Sequence, residues 1–211
     1  MDTKQEKFWK SDFGKKYTDR NTYSPEELDN FYKKIYGVTQ SSMDEDFLGN
    51  LEINNILEVG ANSGNQLRIL KKLGFKQLYG IEIQRDAVNK SKKINPDLDI
   101  IQASALDLPF KDNYFDLVFT SGVLIHIKPD DLSKVISEMH RVSKKYIMGF
   151  EYFDEVCQEI DYRDNQGFLW KADFAKFFLE QFSDLELVKQ KKYKYLNNDC
   201  IDCKYLLMKN K

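Results

Sequence analysis

From Asn55 onward one pattern repeats: a short apolar run, a stretch with helical periodicity, then another apolar run. Strands are expected over 55–59, 77–83, 98–103, 115–121 and 146–151, with helices over 65–73, 86–94 and 130–142. Several of the apolar runs are continuous rather than alternating, as in strands buried on both faces of a parallel sheet. Strand-helix-strand repetition needs crossovers, which are nearly always right-handed. The pattern therefore predicts a doubly wound α/β sheet. At 211 residues, 42% hydrophobic and 14% aromatic, the chain has the apolar surface for one well-buried structural domain.

The two ends differ from this middle. Residues 1–50 read as a separate helical segment, expected to pack over a cofactor site, with residues 51–211 forming the binding domain. Ser24-Pro25-Glu26-Glu27 is a helix start: Ser24 as N-cap, Pro25 at the first position, Glu27 completing a capping box. At the other end, "WKADFAKFFLEQF" predicts a helix over 170–182 with Trp170, Phe174, Phe177, Phe178 and Phe182 on one face. Strand patterns at 185–195 and 201–208, joined by "LNND", must form an antiparallel hairpin. Five parallel strands followed by such a hairpin make a mostly parallel seven-stranded sheet. This arrangement resembles the class I methyltransferases that use S-adenosylmethionine (SAM), not the nicotinamide-binding one.

The first apolar run ends in "NILEVGANSGNQL". A dinucleotide fingerprint has three glycines, the second letting the backbone approach a pyrophosphate. Here Gly60, Ala61, Asn62, Ser63 and Gly64 give G-x-x-x-G, with the Asn62 side chain where a pyrophosphate would lie. SAM carries no phosphate. It needs the tight turn at Gly60, directly after Glu58-Val59, and gains from free N–H groups at the following helix start. About twenty residues on, "YGIEI" places Glu82 at the end of the second strand, where a carboxylate accepts from both ribose hydroxyls. Ile83 beside it is apolar and can flank the adenine. The loop Ser104-Ala105-Leu106, after the third strand, is expected at the adenine ring, with Ser104 as an acceptor. Ser121 and Gly122 end the fourth strand, on the side of the transferable methyl group. All these elements lie at carboxyl ends of strands, where open α/β sheets bind ligands.

With these residues in view, the chain resembles a class I SAM-dependent methyltransferase. More finely, it resembles the small bacterial family of pseudaminic acid biosynthesis-associated methylases. The stretches that carry the resemblance are "EKFWKSDFGKKYTDRN", "ILEVGANSGNQLRILKKLG", "LDLPFKDNYFDLVFTSGVLIHI", "RVSKKYIMGFEYF" and "LWKADFAKFFLEQF". The resemblance implies SAM as cofactor, S-adenosylhomocysteine as product, and a sialic-acid-like sugar as substrate, in free, precursor or nucleotide-activated form, destined for surface glycans. It also marks two departures: Glu82 where the class commonly has Asp, and Ser104 where it often has Asp.

Methyl transfer asks the protein to align acceptor and methyl, and a hydroxyl acceptor gains from a base. His126, just past the fourth strand, is the candidate base, or else a packing residue. Glu151 and Tyr152, at the end of the fifth strand, are candidates to position the acceptor. Trp9, Phe13 and Tyr17 recur every four residues, which predicts a core stripe for the first two. Tyr17 and Arg20 are candidates to close over the cofactor, with Arg20 at a carboxylate.

A net charge of -2 gives no footprint for a nucleic-acid binder. The lysines 189, 191, 192 and 194 read as a solvated strand face. No window approaches a membrane span, so a cytoplasmic location is expected, without a membrane partner. The cysteines 157, 200 and 203 show neither a disulfide framework nor a metal set, and no metal is expected. The alternatives are methylation of another small molecule, methylation of RNA or protein, and a SAM-binding partner without catalysis. The oligomeric state stays open.

Overall fold

The computed structural model describes residues 2–210. The chain divides into two compact units, Met1–Ala105 and Leu106–Lys211.

The first unit begins with four helices, α1 (Lys4–Lys10), α2 (Asp12–Arg20), α3 (Pro25–Tyr36) and α4 (Gln40–Leu48). Their starts are written in short polar residues: Thr3 with Glu6, and Ser24 with Glu27, form complete capping boxes. Three parallel strands follow, β1 (Asn55–Val59), β2 (Gln77–Glu82) and β3 (Asp99–Gln102), linked by α5 (Asn65–Lys72) and α6 (Arg85–Ile94). Ile56, Leu57, Val59, Ile81 and Ile100 on the strands are buried together with Leu67, Ile69 and Leu70 of α5.

The second unit holds β4 (Phe115–Ser121), a single 3-10 turn (Leu124–His126), α7 (Pro129–Val142) and β5 (Ser143–Tyr152), parallel to β4. A small hairpin, β6 (Gln158–Glu159) with β7 (Trp170–Lys171), precedes α8 (Phe174–Gln181). The closing strands β8 (Leu185–Lys194) and β9 (Ile201–Lys209) are antiparallel to each other, and β9 is antiparallel to β5. The strand order is β3-β2-β1-β4-β5-β9-β8. This is the mostly parallel seven-stranded sheet that the apolar runs predict.

Two expectations are corrected. The predicted helix over 170–182 begins only at Phe174. Trp170 and Lys171 pair instead with Glu159 and Gln158 as a strand, and the Asp173 side chain accepts from Lys176 N at 3.2 Å to start the helix. The aromatic stripe of α1 and α2 is not core either. Trp9, Phe13 and Tyr17 are half-buried, and much of their packing is against one another, with ring centroids 5.7 Å (Trp9–Phe13) and 5.2 Å (Trp9–Tyr17) apart. The lysine run behaves as expected, three of its four side chains being exposed on the outer strand β8.

Candidate active site

In the first unit the glycine loop is held from below and from the side. Gly60 and Gly64 take left-handed conformations, with φ of 78° and 82°, which suit glycine. Gly80 of β2 lets the loop lie close: a Cβ there would stand 2.8 Å from the Ala61 Cβ.

Every amide of the loop is already spent on the protein. Those of Gly60 and Ala61 donate to the Ile81 carbonyl, both at 2.9 Å, and that of Gly64 to the Ala61 carbonyl at 2.7 Å. Asn62 N donates to Glu82 Oε2 at 2.9 Å and Ser63 N to Asn62 Oδ1 at 2.7 Å. At the start of α5 the Leu67 amide donates to the Glu58 carboxyl, which is 3% exposed. The loop itself is thus built by self-bonding, and at the following helix start the Leu67 amide is taken up by Glu58. Burial, then the charge of Glu82, pushes the Glu58 carboxyl well above the usual carboxylate range, while the Arg68 guanidinium opposes this.

Glu82 ends β2, 8% exposed. Its two oxygens accept from Asn62 N and, at 2.8 Å, from Gln84 N, which fixes the carboxyl plane. Burial raises its pKa against the pull of the Gln84, Asn62 and Ile83 amides. Ile83 is half-buried. The exit of β3 lies alongside, with Ala103 N donating to the Glu82 carbonyl at 3.1 Å and Gln102 Nε2 to the Ile83 carbonyl at 3.0 Å. Beyond it, Ser104 Oγ donates to Glu6 Oε1 of α1 at 2.6 Å. Ala105 is half-buried.

The end of α2 and the segment after it are stitched along the same loop. Asn62 Nδ2 donates to Thr18 Oγ1 at 3.0 Å, and Thr18 Oγ1 donates to Gln84 Oε1 at 2.9 Å. Asn65 Nδ2 donates to the Asn21 carbonyl at 2.6 Å, Tyr23 N to Asn65 Oδ1 at 3.2 Å, and Arg68 to the Tyr23 carbonyl. Tyr17 is half-buried and Arg20 is exposed at the end of α2. The sequence reading missed Thr18, Gln84 and Asn65, whose roles rest on contacts far along the chain.

Two kinds of cofactor would ask different things of these residues. A pyrophosphate needs unspent backbone N–H groups and a helix start open to an anion, and the loop offers neither in residues 60–64. A ribose diol needs a fixed acceptor, and Glu82 is one, each carboxylate oxygen having capacity beyond one amide. The set fits a phosphate-free nucleoside such as SAM.

In the second unit, Ser121 and Gly122 end β4, half-buried, with Gly122 N donating to the Phe150 carbonyl at 2.9 Å. Leu106 is half-buried. His126 is 8% exposed, and its Nδ1 lies 2.7 Å from the Phe168 carbonyl, so Nδ1 carries the proton and Nε2 the lone pair. The Tyr162 ring sits 4.9 Å from the imidazole. Burial brings the His126 pKa down to about 4, against the opposing hydrogen bond to Phe168, so the ring is neutral at physiological pH. Its hydrogen bond ties the 3-10 turn to the β6–β7 hairpin, and it caps no residue of α7.

Glu151 is 2% exposed and turns inward, accepting from Val123 N at 3.2 Å and Ile125 N at 3.4 Å. Burial pushes its carboxyl up to about 7. It positions the turn that carries His126; the expectation that it meets the acceptor directly is corrected. Tyr152 is paired in register with Asp202 of β9. Burial, with the Asp202 charge, pushes the Tyr152 phenol up to about 12. Tyr195 donates to Asp202 Oδ2 at 3.2 Å. Asp202 and Tyr195 had no sequence signal beyond an acid at the head of an apolar run. Among the described residues no group of three or more His, Cys, Asp or Glu side chains could hold a metal ion, and no helix is long and apolar enough to cross a membrane.

The fold is that of the class I methyltransferases, and the donor set fits a phosphate-free nucleoside. Comparison with known proteins agrees. Residues 57–146 match the family model described as a methyltransferase domain. A ubiquinone/menaquinone biosynthesis C-methyltransferase of Rickettsia prowazekii is 34% identical over 135 residues, 59% of this chain and 50% of that protein. A glycine/sarcosine/dimethylglycine N-methyltransferase of Actinopolyspora halophila is 27% identical over 154 residues, 61% of this chain and 27% of that protein. The chain thus spans half or less of these relatives' own length. Among solved structures, a SAM-dependent methyltransferase of Leishmania major superimposes with a TM-score of 0.72 at 16% identity, covering 98% of this chain and 87% of that one. The PH0226 protein of Pyrococcus horikoshii gives 0.68 at 15% identity, covering 92% and 95%.

Proposed function

We propose that the protein moves a methyl group from SAM to a small, hydroxyl-rich acceptor, a sialic-acid-like sugar of the pseudaminic acid type in free, precursor or nucleotide-activated form. The observation that carries the SAM half of this reading is the Glu82 carboxyl, fixed by two amides beside a loop with no amide left for phosphate. The sugar half rests on the sequence resemblance and on the Asp202–Tyr195 pair next to Tyr152, a set of neutral donors around an acid that suits neighbouring hydroxyls.

When bound, SAM supplies a methyl group made electrophilic by the adjacent sulfonium. Glu82 holds the ribose hydroxyls, Ile83 flanks the base, and Ser104, Ala105 and Leu106 border it. Gly60 to Gly64 shape the floor, with Glu58 anchoring α5 below. Tyr17 and Arg20 close the methionine end, Arg20 meeting a carboxylate; Ser121 and Gly122 line the methyl side. The helices of residues 1–50 cover the cofactor.

Tyr152 orients an acceptor hydroxyl. His126 takes the hydroxyl proton at Nε2 as the new bond forms, with Nδ1–H held on Phe168. A base of such low pKa removes little charge early, so alignment supplies most of the acceleration.

The test is S-adenosylhomocysteine release together with substrate mass gain, using SAM and a panel of sialic-acid-like sugars and their nucleotide-activated forms. The expected result is one panel member heavier by a methyl group. SAM binding without turnover on the sugars, but with turnover on sarcosine or a quinol, would replace the sugar reading by another small molecule. Binding without turnover on any acceptor would replace it by a non-catalytic SAM-binding partner.

A further inference from the structure

We propose that Glu6, on the first helix, is part of the cofactor site: it accepts from the exocyclic amino group of the adenine and so makes the site selective for a 6-amino purine. This rests on the SAM reading above and extends it to a residue some hundred positions away from the loop it serves.

A purine sets the requirement. Beyond a flat apolar contact, adenine presents an amino donor at position 6, and a site that reads it must offer an acceptor. The strand ends give the direction. Glu82 and Gln102 are register partners on neighbouring strands, and Ala103 N closes onto the Glu82 carbonyl. A nucleoside whose ribose meets Glu82 therefore has its base next to the exit of β3. The side chain at that exit is Ser104, and its hydroxyl proton is committed to Glu6 Oε1 at 2.6 Å. Ser104 offers no carboxylate of its own, and α1 brings one to it. Glu6 is half-buried, an acceptor only, and held in place by its own helix: Oε2 accepts from Thr3 N at 2.7 Å, and Glu6 N donates to Thr3 Oγ1 at 3.1 Å. A carboxylate fixed at both oxygens by single donors still has lone pairs for one more.

A plain docking contact between α1 and the loop would also place Glu6 on Ser104. The two roles separate in one substitution. Glu6→Gln keeps the capping box, since Gln serves at that position as well as Glu. With its amide oxygen on Thr3 N, its NH2 group faces Ser104, which can accept as well as donate. The helix stays docked, but the site now presents a donor where an acceptor stood. Adenine should suffer from that change, and a 6-oxo purine should gain.

The experiment is calorimetric titration of wild type and Glu6→Gln with S-adenosylhomocysteine and with its deaminated analogue, S-inosylhomocysteine. Wild type should prefer the adenosyl compound by about tenfold or more, the range expected when a half-buried polar group is left without its partner. In Glu6→Gln the ratio should fall to near one or invert, with an unchanged far-UV spectrum. An unchanged ratio in the variant, or no preference in wild type, overturns the role of Glu6. Failure of wild type to bind S-adenosylhomocysteine at all overturns the SAM reading itself, and the assignment of Glu6 with it.

Discussion

Burial pushes the Glu151 carboxyl up to about 7 and brings the His126 imidazole down to about 4. The two act on stability in opposite directions. Between the ordinary carboxylate value and about 7 the folded state holds the Glu151 proton more tightly than the unfolded chain, so stability present at low pH is lost as pH rises through 7. For His126 the unfolded chain binds the proton more tightly, and stability present above 6.5 is lost as pH falls toward 4. The contributions offset each other in mildly acidic solution, and only the Glu151 loss persists at neutral pH. Glu151→Gln, which removes the charge and keeps the shape, should be more stable than wild type at pH 8 by up to about 3 kcal/mol. The gain should shrink to about 1 kcal/mol or less at pH 5 and vanish below the ordinary carboxylate value. Calorimetric melts of both proteins across that range check it; an equal difference at both ends would mean that Glu151 is not held neutral by its surroundings. Residue roles of this kind were only partly legible in the sequence. The placement of Glu82 beside the glycine loop was, because an acid at a strand end next to such a loop is a local pattern. The self-bonded amides of residues 60–64 and the inward turn of Glu151 were not, because each depends on which distant groups come within reach.

At the scale of elements, β1 and β4 match the apolar runs to the residue, since apolar side chains buried on both faces leave little choice of boundary, and β2, β3 and β9 match to within one. The β6–β7 hairpin was hidden for the opposite reason. Gln158 and Glu159 are polar, and Trp170 falls in helical phase with Phe174, so the helical period in the sequence starts four residues before the helix does. The glycine of β2 carries a clear element-scale prediction. A Cβ on Gly80 would stand 2.8 Å from the Ala61 Cβ, 3.0 Å from Ile100 Cγ1 and 3.2 Å from Leu67 Cδ1, contacts that must be relieved by moving the loop, the neighbouring strand or α5. Gly80→Ala should cost about 1–3 kcal/mol in stability. Because the loop also orients the Asn62 amide on Glu82, cofactor affinity should fall with it. Chemical denaturation and S-adenosylhomocysteine titration of the same preparation read both effects, and a variant that loses stability at full affinity would separate the loop position from the cofactor.

For the whole molecule, ligand binding and folding are one equilibrium. A nucleoside that engages Glu82, the loop and the segment from Thr18 to Tyr23 binds only the folded chain, because those groups are gathered from four separate stretches of the first unit. A ligand at a hundred times its dissociation constant then adds about 2.7 kcal/mol to stability. In a protein of this size that corresponds to roughly 5–10 °C in the melting temperature. S-adenosylhomocysteine should produce such a shift. NAD should not, even at millimolar concentration: it carries the same adenosine, but its pyrophosphate would meet a loop whose amides donate inward and a helix start served by Glu58. Comparing the two ligands isolates the glycine loop from the rest of the site, since they differ where that loop lies and agree at the ribose and the base. A shift of equal size with both would show that the self-bonded loop opens on binding, and the distinction drawn from its hydrogen bonds between a phosphate-free nucleoside and a dinucleotide would fall.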